Sequence, residues 1–295
     1  MSGNLLSWLI RLATVVALLF LQRLDGLSAS AGAVTLILLG VPHGAADHLI
    51  FRSRYPGRGT LLRFFVFYGL LVATYAGIWY LWPGLALAVF LLASIYHFGQ
   101  SYFDPGDRRP AAFRVVRQLA WGSFVLLFPI IYHYDEARPI VERILGRALN
   151  VPEVYLSCLP PALVATNLYV IYHGWSHHRL SGQVCRTQIL DLLLLVILYT
   201  YTGLLPGFAI FFLLWHSLPA VVEQWHYLTQ RHLSGNLTSY LWQLLPLSAA
   251  AFLTMGVAYW LAMSRGEQPA DLALLFILIS LITLPHAFLV DRVYR

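Results

Sequence analysis

Apolar runs of about 20 residues, almost free of charge, follow one another along nearly the whole of this chain. That is the length of α-helix that spans the hydrocarbon core of a bilayer. Inside lipid the backbone has no water to bond, so each run must close its hydrogen bonds within itself as a helix. Of the 295 residues, 59% are hydrophobic and 11% are charged, where a soluble domain carries roughly a quarter charged residues. There are too few charges to coat a water-facing surface. The expected fold class is therefore all-α: a polytopic membrane helix bundle of about ten transmembrane helices, forming a single integral membrane domain over residues 1–295.

Turn chemistry places the breaks, at Pro83-Gly84, Pro105-Gly106, Pro206-Gly207 and Ser234-Gly235-Asn236. The expected spans are Leu5 to Leu21, Ser28 to Ile50, Leu61 to Trp82, Gly84 to Phe103, Ala112 to Tyr132, Pro152 to His177, Thr187 to Leu204, Pro206 to Leu228, Leu237 to Met263 and Pro269 to Val290. An amphipathic piece around Pro139 to Leu149 follows the fifth. Leu12 to Leu21 with Ala29-Ser30-Ala31 also has features of a signal peptide. The intervening Gln22-Arg23-Leu24-Asp25 is long and charged for one, which favours a retained first helix.

All cationic side chains are arginines, set in the short stretches between apolar runs. Arg52, Arg54, Arg58, Arg63, Arg108, Arg109, Arg114, Arg117, Arg179, Arg186, Arg231, Arg292 and Arg295 fall on the N-terminal side. Arg23, Arg138, Arg143, Arg147 and Arg265 fall on the other. The positive-inside rule makes the first side cytoplasmic, with both termini there and the protein in the cell inner (plasma) membrane. Topology thus explains the net charge of +6, and no basic-aromatic module points to nucleic acid. Cys158 and Cys185 fall near opposite faces, which argues against a disulfide and for packing roles.

Eleven histidines in so apolar a chain need a reason. His43 and His48 fall in the second span, His97 in the fourth, His173 and His177 in the sixth, His216 and His226 in the eighth and His286 in the tenth. Even-numbered spans all run toward the cytoplasmic side, and each carries its histidines in its second half. They should therefore share one depth. Ionisable groups within membranes are costly and usually face the bundle interior. Neutral imidazole is also the commonest transition-metal ligand, so the set points to a site for iron, copper or zinc. The plainer alternative is that each imidazole only bonds a neighbouring helix.

Proline precedes His43 and His286, where it can kink a helix and open room for a ligand. Asp47 is four residues after His43, hence on one helix face, and can orient a ligating imidazole or pair with an arginine at the interface. His48 stands beside it as another supporting residue. Tyr96, Phe98, Tyr102, Trp175, Trp215 and Trp225 crowd the same region. Tyr96, Phe98, Trp175 and Trp215 are candidates for a pocket for a long apolar substrate, with an interfacial belt as the alternative.

Three segments, Gly40-Val41-Pro42-His43-Gly44-Ala45-Ala46-Asp47-His48, Tyr96-His97-Phe98-Gly99 and Trp215-His216-Ser217, resemble the Brp/Blh family of membrane beta-carotene 15,15'-dioxygenases. Pro285-His286 with Asp291 resembles it too. The resemblance implies a multi-span enzyme that holds non-haem Fe(2+) by histidines and splits the central double bond of beta-carotene with O2 into two retinals. It implies His43, His97 and His216 as catalytic iron ligands, with His286 a further metal ligand. The partners would be a lipophilic carotenoid entering from the bilayer, and O2. One position departs from the family pattern: a second histidine usually follows four residues after the one matching His216, and here that residue is Ala220. His286, His173, His177, His226 and Glu223 are the available substitutes.

Other classes remain open on the residues alone. A di-iron desaturase or hydroxylase would share His43-x4-His48 and His173-x3-His177-His178, but no HxxHH box is present. A transporter or a metal or haem carrier would also use buried histidines, though it would more often show paired repeats and broken helices. A family paralogue acting on another isoprenoid is a further alternative.

Overall fold

The computed structural model describes residues 3–21, 38–40, 42–103, 107–264 and 272–289, and every regular element among them is helical. In chain order these are α1 (Gly3–Leu21), α2 (Asp47–Arg54), α3 (Thr60–Leu81), α4 (Pro83–Tyr102), α5 (Ala111–Tyr132), α6 (Tyr134–Leu145), α7 (Glu153–Ser176), α8 (Gly182–Tyr201) and α9 (Leu204–Phe211). A π-helical segment, Phe212–Ser217, joins α9 to α10 (Leu218–Gln230), followed by α11 (Leu237–Ser264) and α12 (Leu272–Leu289).

Eight of the helices among the described residues are long and apolar enough to cross a membrane. They coincide with the third to tenth expected spans, and the shorter apolar helix Leu5–Phe20 matches the first. The chain is an all-α polytopic membrane protein. Two boundaries differ from expectation for local reasons. The seventh span begins at Gly182 rather than Thr187, because the Ser181 hydroxyl accepts from the Val184 amide and caps the helix early. The second span is not continuous to Ile50: residues 42–44 are helical, Ala45 and Ala46 form a turn, and α2 starts afresh at Asp47. The imidazole of His43 donates to the Gly40 carbonyl, which in a regular α-helix accepts from the Gly44 amide. The rest of that span, the proposed cleavage site near Ala29 and Asp291 lie outside the described residues.

The chain divides into two compact units, each assembled from separated stretches of sequence. One comprises Met1–Ala33, Ser94–Glu142 and Arg147–His216. Its core is Phe113, Ala120, Val170, Ile171, Leu180 and Cys185, around the packing of α5 on α7 and α8. Lipid removes most of the hydrophobic drive for helix association, so close backbone approach and interhelical hydrogen bonds matter more. Both are visible here. A methyl group on Gly99 would collide with the Gln118 carbonyl, and one on Gly122 with that of Ile95, so α4 and α5 meet backbone to backbone. Asn167 Nδ2 donates to the Ala120 carbonyl at 3.0 Å. Pro129 has no N–H to offer the Val125 carbonyl one turn before it, and the Tyr199 hydroxyl donates to that carbonyl at 3.1 Å instead.

Arg11 corrects the expectation that the arginines sit between spans. It lies inside α1, 7% exposed, and makes a two-pronged pair with Asp191 of α8 (Nε–Oδ1 2.6 Å, Nη2–Oδ2 3.0 Å). The Tyr102 hydroxyl donates to the same carboxylate at 2.6 Å and its ring stacks on Trp121. A charge this deep persists only when paired.

The other unit comprises Val34–Ala93, Arg143–Gly146 and Ser217–Arg295. Ala45, Ala46, Ile50, Phe64, Leu228, Tyr240, Leu244 and Leu289 form its core. Trp79 Nε1 donates to Ser280 Oγ at 2.9 Å and the Tyr68 hydroxyl to the Ile282 carbonyl at 3.0 Å, tying α3 to α12. Both cysteines are free, as expected; Cys185 is packed, but Cys158 is exposed rather than a packing residue.

Candidate metal centre

His43 and His286 come together in the second unit. His43 is held on the short helical stretch after Pro42, and His286 follows Pro285 near the end of α12. Their rings meet edge to face, 4.8 Å between centroids and 90° between planes, at 6% and 3% exposure. One ring nitrogen of each lies within 4.8 Å of the other's. Nitrogens about 2.1 Å from one shared metal would be up to about 4.2 Å apart, so little movement would bring both onto one ion.

The protons of these two rings are assigned by what Nδ1 faces. A carbonyl can only accept, so His43 carries its proton on Nδ1, toward Gly40, and keeps its lone pair on Nε2. His286 Nδ1 is 2.8 Å from Asp47 Oδ1; with Asp47 ionised the carboxylate only accepts, which puts the His286 proton on Nδ1 and its lone pair on Nε2. Asp47 starts α2 and is 1% exposed, and His286 is its one ion-pair partner among the described residues. A carboxylate behind an imidazole fixes the ring and raises the basicity of the far nitrogen, an arrangement common behind metal-bound histidines.

His97 and His216 form a second pair, in the first unit. The rings are 4.9 Å apart at 75°, with 5% and 3% exposure. His97 lies in the last two turns of α4. His216 lies in the π-helical segment, where Pro219 cannot donate to the Trp215 carbonyl and the α-helical ladder is interrupted. Such π-bulges recur at functional sites, because they re-aim side chains that a regular helix would turn away. His216 Nδ1 is 3.0 Å from Ser101 Oγ. Phe98 and His216 meet edge to face (4.9 Å, 90°), and Phe98 packs among Phe208, Phe211 and Phe212.

The remaining candidates are distributed as follows. Tyr96 is half-buried and its hydroxyl accepts from Gln100 Nε2 at 3.2 Å. Trp215 donates from Nε1 to Thr14 Oγ1 of α1 at 3.0 Å. Trp175 is exposed beside Tyr172, at a position suited to a membrane-interface belt. His48 is half-buried, with Nδ1 2.8 Å from the Ala45 carbonyl. His173 and His177 stack on each other at 4.1 Å, and His177, His226 and Glu223 are exposed. Of the possible substitutes for the histidine absent at Ala220, His286 is buried against another candidate ligand.

The family described as beta-carotene 15,15'-dioxygenase matches residues 34–294. This chain belongs to that family. Two relatives are 26% identical to it. One, from an uncultured marine bacterium (66A03), is named beta-carotene 15,15'-dioxygenase, and the match covers 88% of this chain and 92% of the relative. The other, from Halobacterium salinarum, is named probable beta-carotene 15,15'-dioxygenase Blh, with 94% and 90% covered. No solved structure matches the chain.

As a member of the dioxygenase family the chain carries four buried imidazoles in two pairs, and the donor set fits a non-haem metal. Nitrogen donors from neutral imidazole suit ferrous iron. The buried Asp47 carboxyl has His286 as its ion-pair partner among the described residues, and a nearby dication would favour its ionised form. Sequence reasoning singled out these four histidines and Asp47 as candidates. It did not single out Ser101, Arg11 or Asp191. The available signal for the last two was a charged residue within an apolar run.

Proposed function

We propose that this protein cleaves a carotenoid, beta-carotene to retinal, with O2 and Fe(2+), and that His43, His97, His216 and His286 are its metal ligands. The observation that carries the reading is the pairing of His43 with His286 and of His97 with His216, each ring buried. The family and the names of the two relatives support the reaction class.

The reaction itself asks little of acid–base chemistry. One alkene and one O2 give two aldehydes, with the carbon–carbon double bond broken, two carbonyls formed and no net proton or outside electron required. Bound ferrous iron supplies the oxygen activation that side chains lack. The protein's part is ligand geometry and a dry, apolar surround. Nδ1 of His43 and of His286 is committed to Gly40 and Asp47, which keeps both rings in one tautomer and one orientation. The phenyl rings of Phe98 and Phe212 lie against His216, with Phe208 packed on both, and offer apolar contact to a polyene. The membrane-spanning helices suit a substrate that dissolves in the bilayer, and placement of its central bond would come from contacts along its length.

Expression in cells that accumulate beta-carotene, with chromatography of the extracted pigments, tests the reading. Loss of carotene with retinal appearing is the expected result, abolished in His43→Ala, His97→Ala and His216→Ala along with bound iron. Unchanged carotene in membranes that contain the protein, or a Soret band in the purified protein, would overturn it.

A further inference from the structure

The first unit contains a hydroxyl group whose position the reaction does not explain. Ser101 lies four residues after His97 on α4, so the two share a helix face. Its Oγ donates to the Phe98 carbonyl at 3.1 Å, within its own helix. The same Oγ is 3.0 Å from His216 Nδ1. With the single hydroxyl proton directed to Phe98, the oxygen can accept, and the second bond then takes its proton from the imidazole. The sequence Phe98 C=O, Ser101 O–H, His216 Nδ1–H then runs in one direction. It leaves the lone pair of His216 on Nε2, the same tautomer that Gly40 imposes on His43 and Asp47 on His286.

The turn that carries Ser101 is anchored on both sides. Gly99 seats α4 against the Gln118 backbone. Tyr102 is bonded to Asp191, whose carboxylate Arg11 grips with two hydrogen bonds, and it stacks on Trp121. The partner ring is anchored too, since Trp215, next to His216, donates to Thr14 one turn after Arg11. A hydroxyl held this firmly can dictate where a neighbouring ring points.

We infer that Ser101 is a positioning residue for His216, fixing its tautomer and aim toward a metal while touching neither metal nor substrate. The inference rests on His216 being a metal ligand, as proposed above. Removal of such an outer partner typically costs 10–100-fold in metal affinity.

The test uses the full-length protein in detergent, with Fe(2+) affinity measured by competition against a chelator and the ligand field read from Co(2+)-loaded samples. Ser101→Ala should weaken iron binding by about 10-fold or more and shift the Co(2+) absorption bands. Ser101→Thr, which keeps the hydroxyl, should restore both. Thermal melts of the apo proteins should agree to within a few degrees, which separates positioning from general unfolding. If Ser101→Ala keeps iron affinity within twofold with an unchanged Co(2+) spectrum, while His216→Ala loses the metal, Ser101 has no such role. If His216→Ala also retains the metal unchanged, the ligand assignment of His216 fails and the inference falls with it.

Discussion

The carboxylate of Asp47 and the imidazole of His286 are 239 positions apart in the chain, and Oδ1 and Nδ1 are 2.8 Å apart in the fold. Both groups are buried, so the bond is shielded from water and its loss cannot be made good by solvent. Asp47→Asn should preserve the fold, because the side chain keeps its shape, but a neutral amide holds the imidazole less firmly. Iron affinity is expected to fall about 10–100-fold. Chelator competition on the purified variant measures it, and affinity within twofold of the parent protein would show that the carboxylate does not support the metal.

The Arg11–Asp191 pair makes a separate prediction about stability. Removal of one partner leaves a buried charge uncompensated, at a cost of about 3–5 kcal/mol. Arg11→Leu and Asp191→Leu should each lower the melting temperature in detergent. The double variant should lose less than the sum of the two, because no lone charge remains. Additive losses would mean that the two side chains stabilise the protein independently.

Gly99 and Gly122 test whether α4 and α5 need their close approach. A methyl group at either site meets a backbone carbonyl that cannot rotate aside. Gly99→Ala and Gly122→Ala are each expected to cost at least the 1–3 kcal/mol or so typical of overpacking. Gly69→Ala, where an added methyl has nothing within 4 Å, is the control. Equal melting temperatures for all three variants would contradict the backbone contact.

Asp107, between α4 and α5, gives a pH dependence. Burial pushes its carboxyl up, but the Arg109 amide and guanidinium and the charge of Arg117 outweigh this and hold it below the ordinary carboxylate range. A carboxyl lowered on folding stabilises the native state above its unfolded pKa, near 3.9. That contribution disappears as pH falls through the lower, folded value. Melting temperature should therefore drop on acidification through this window, and Asp107→Asn should flatten that part of the curve. An unchanged acid limb in the variant would assign the dependence to other groups.

The spans, their approximate ends and the presence of histidines within them follow from the sequence alone. Lipid accepts only long apolar helices, and an imidazole in such a helix stands out against its neighbours. Tertiary structure decided which histidine meets which. His43 with His286 and His97 with His216 are pairings between distant segments, and no local periodicity encodes them. The reach of Asp47 was decided in the same way. Its spacing from His43 suggests a shared face on one helix, but the turn at Ala45 and Ala46 breaks that helix and turns the carboxylate to His286 instead. Ser101 was invisible for the same reason: a serine near the end of an apolar helix has no signature until a second ring arrives 3.0 Å away. Sequence sets where a membrane chain is helical, because that is a one-dimensional contest between backbone and lipid. The site depends on side-chain contacts across helices, and those are fixed only when the helices pack.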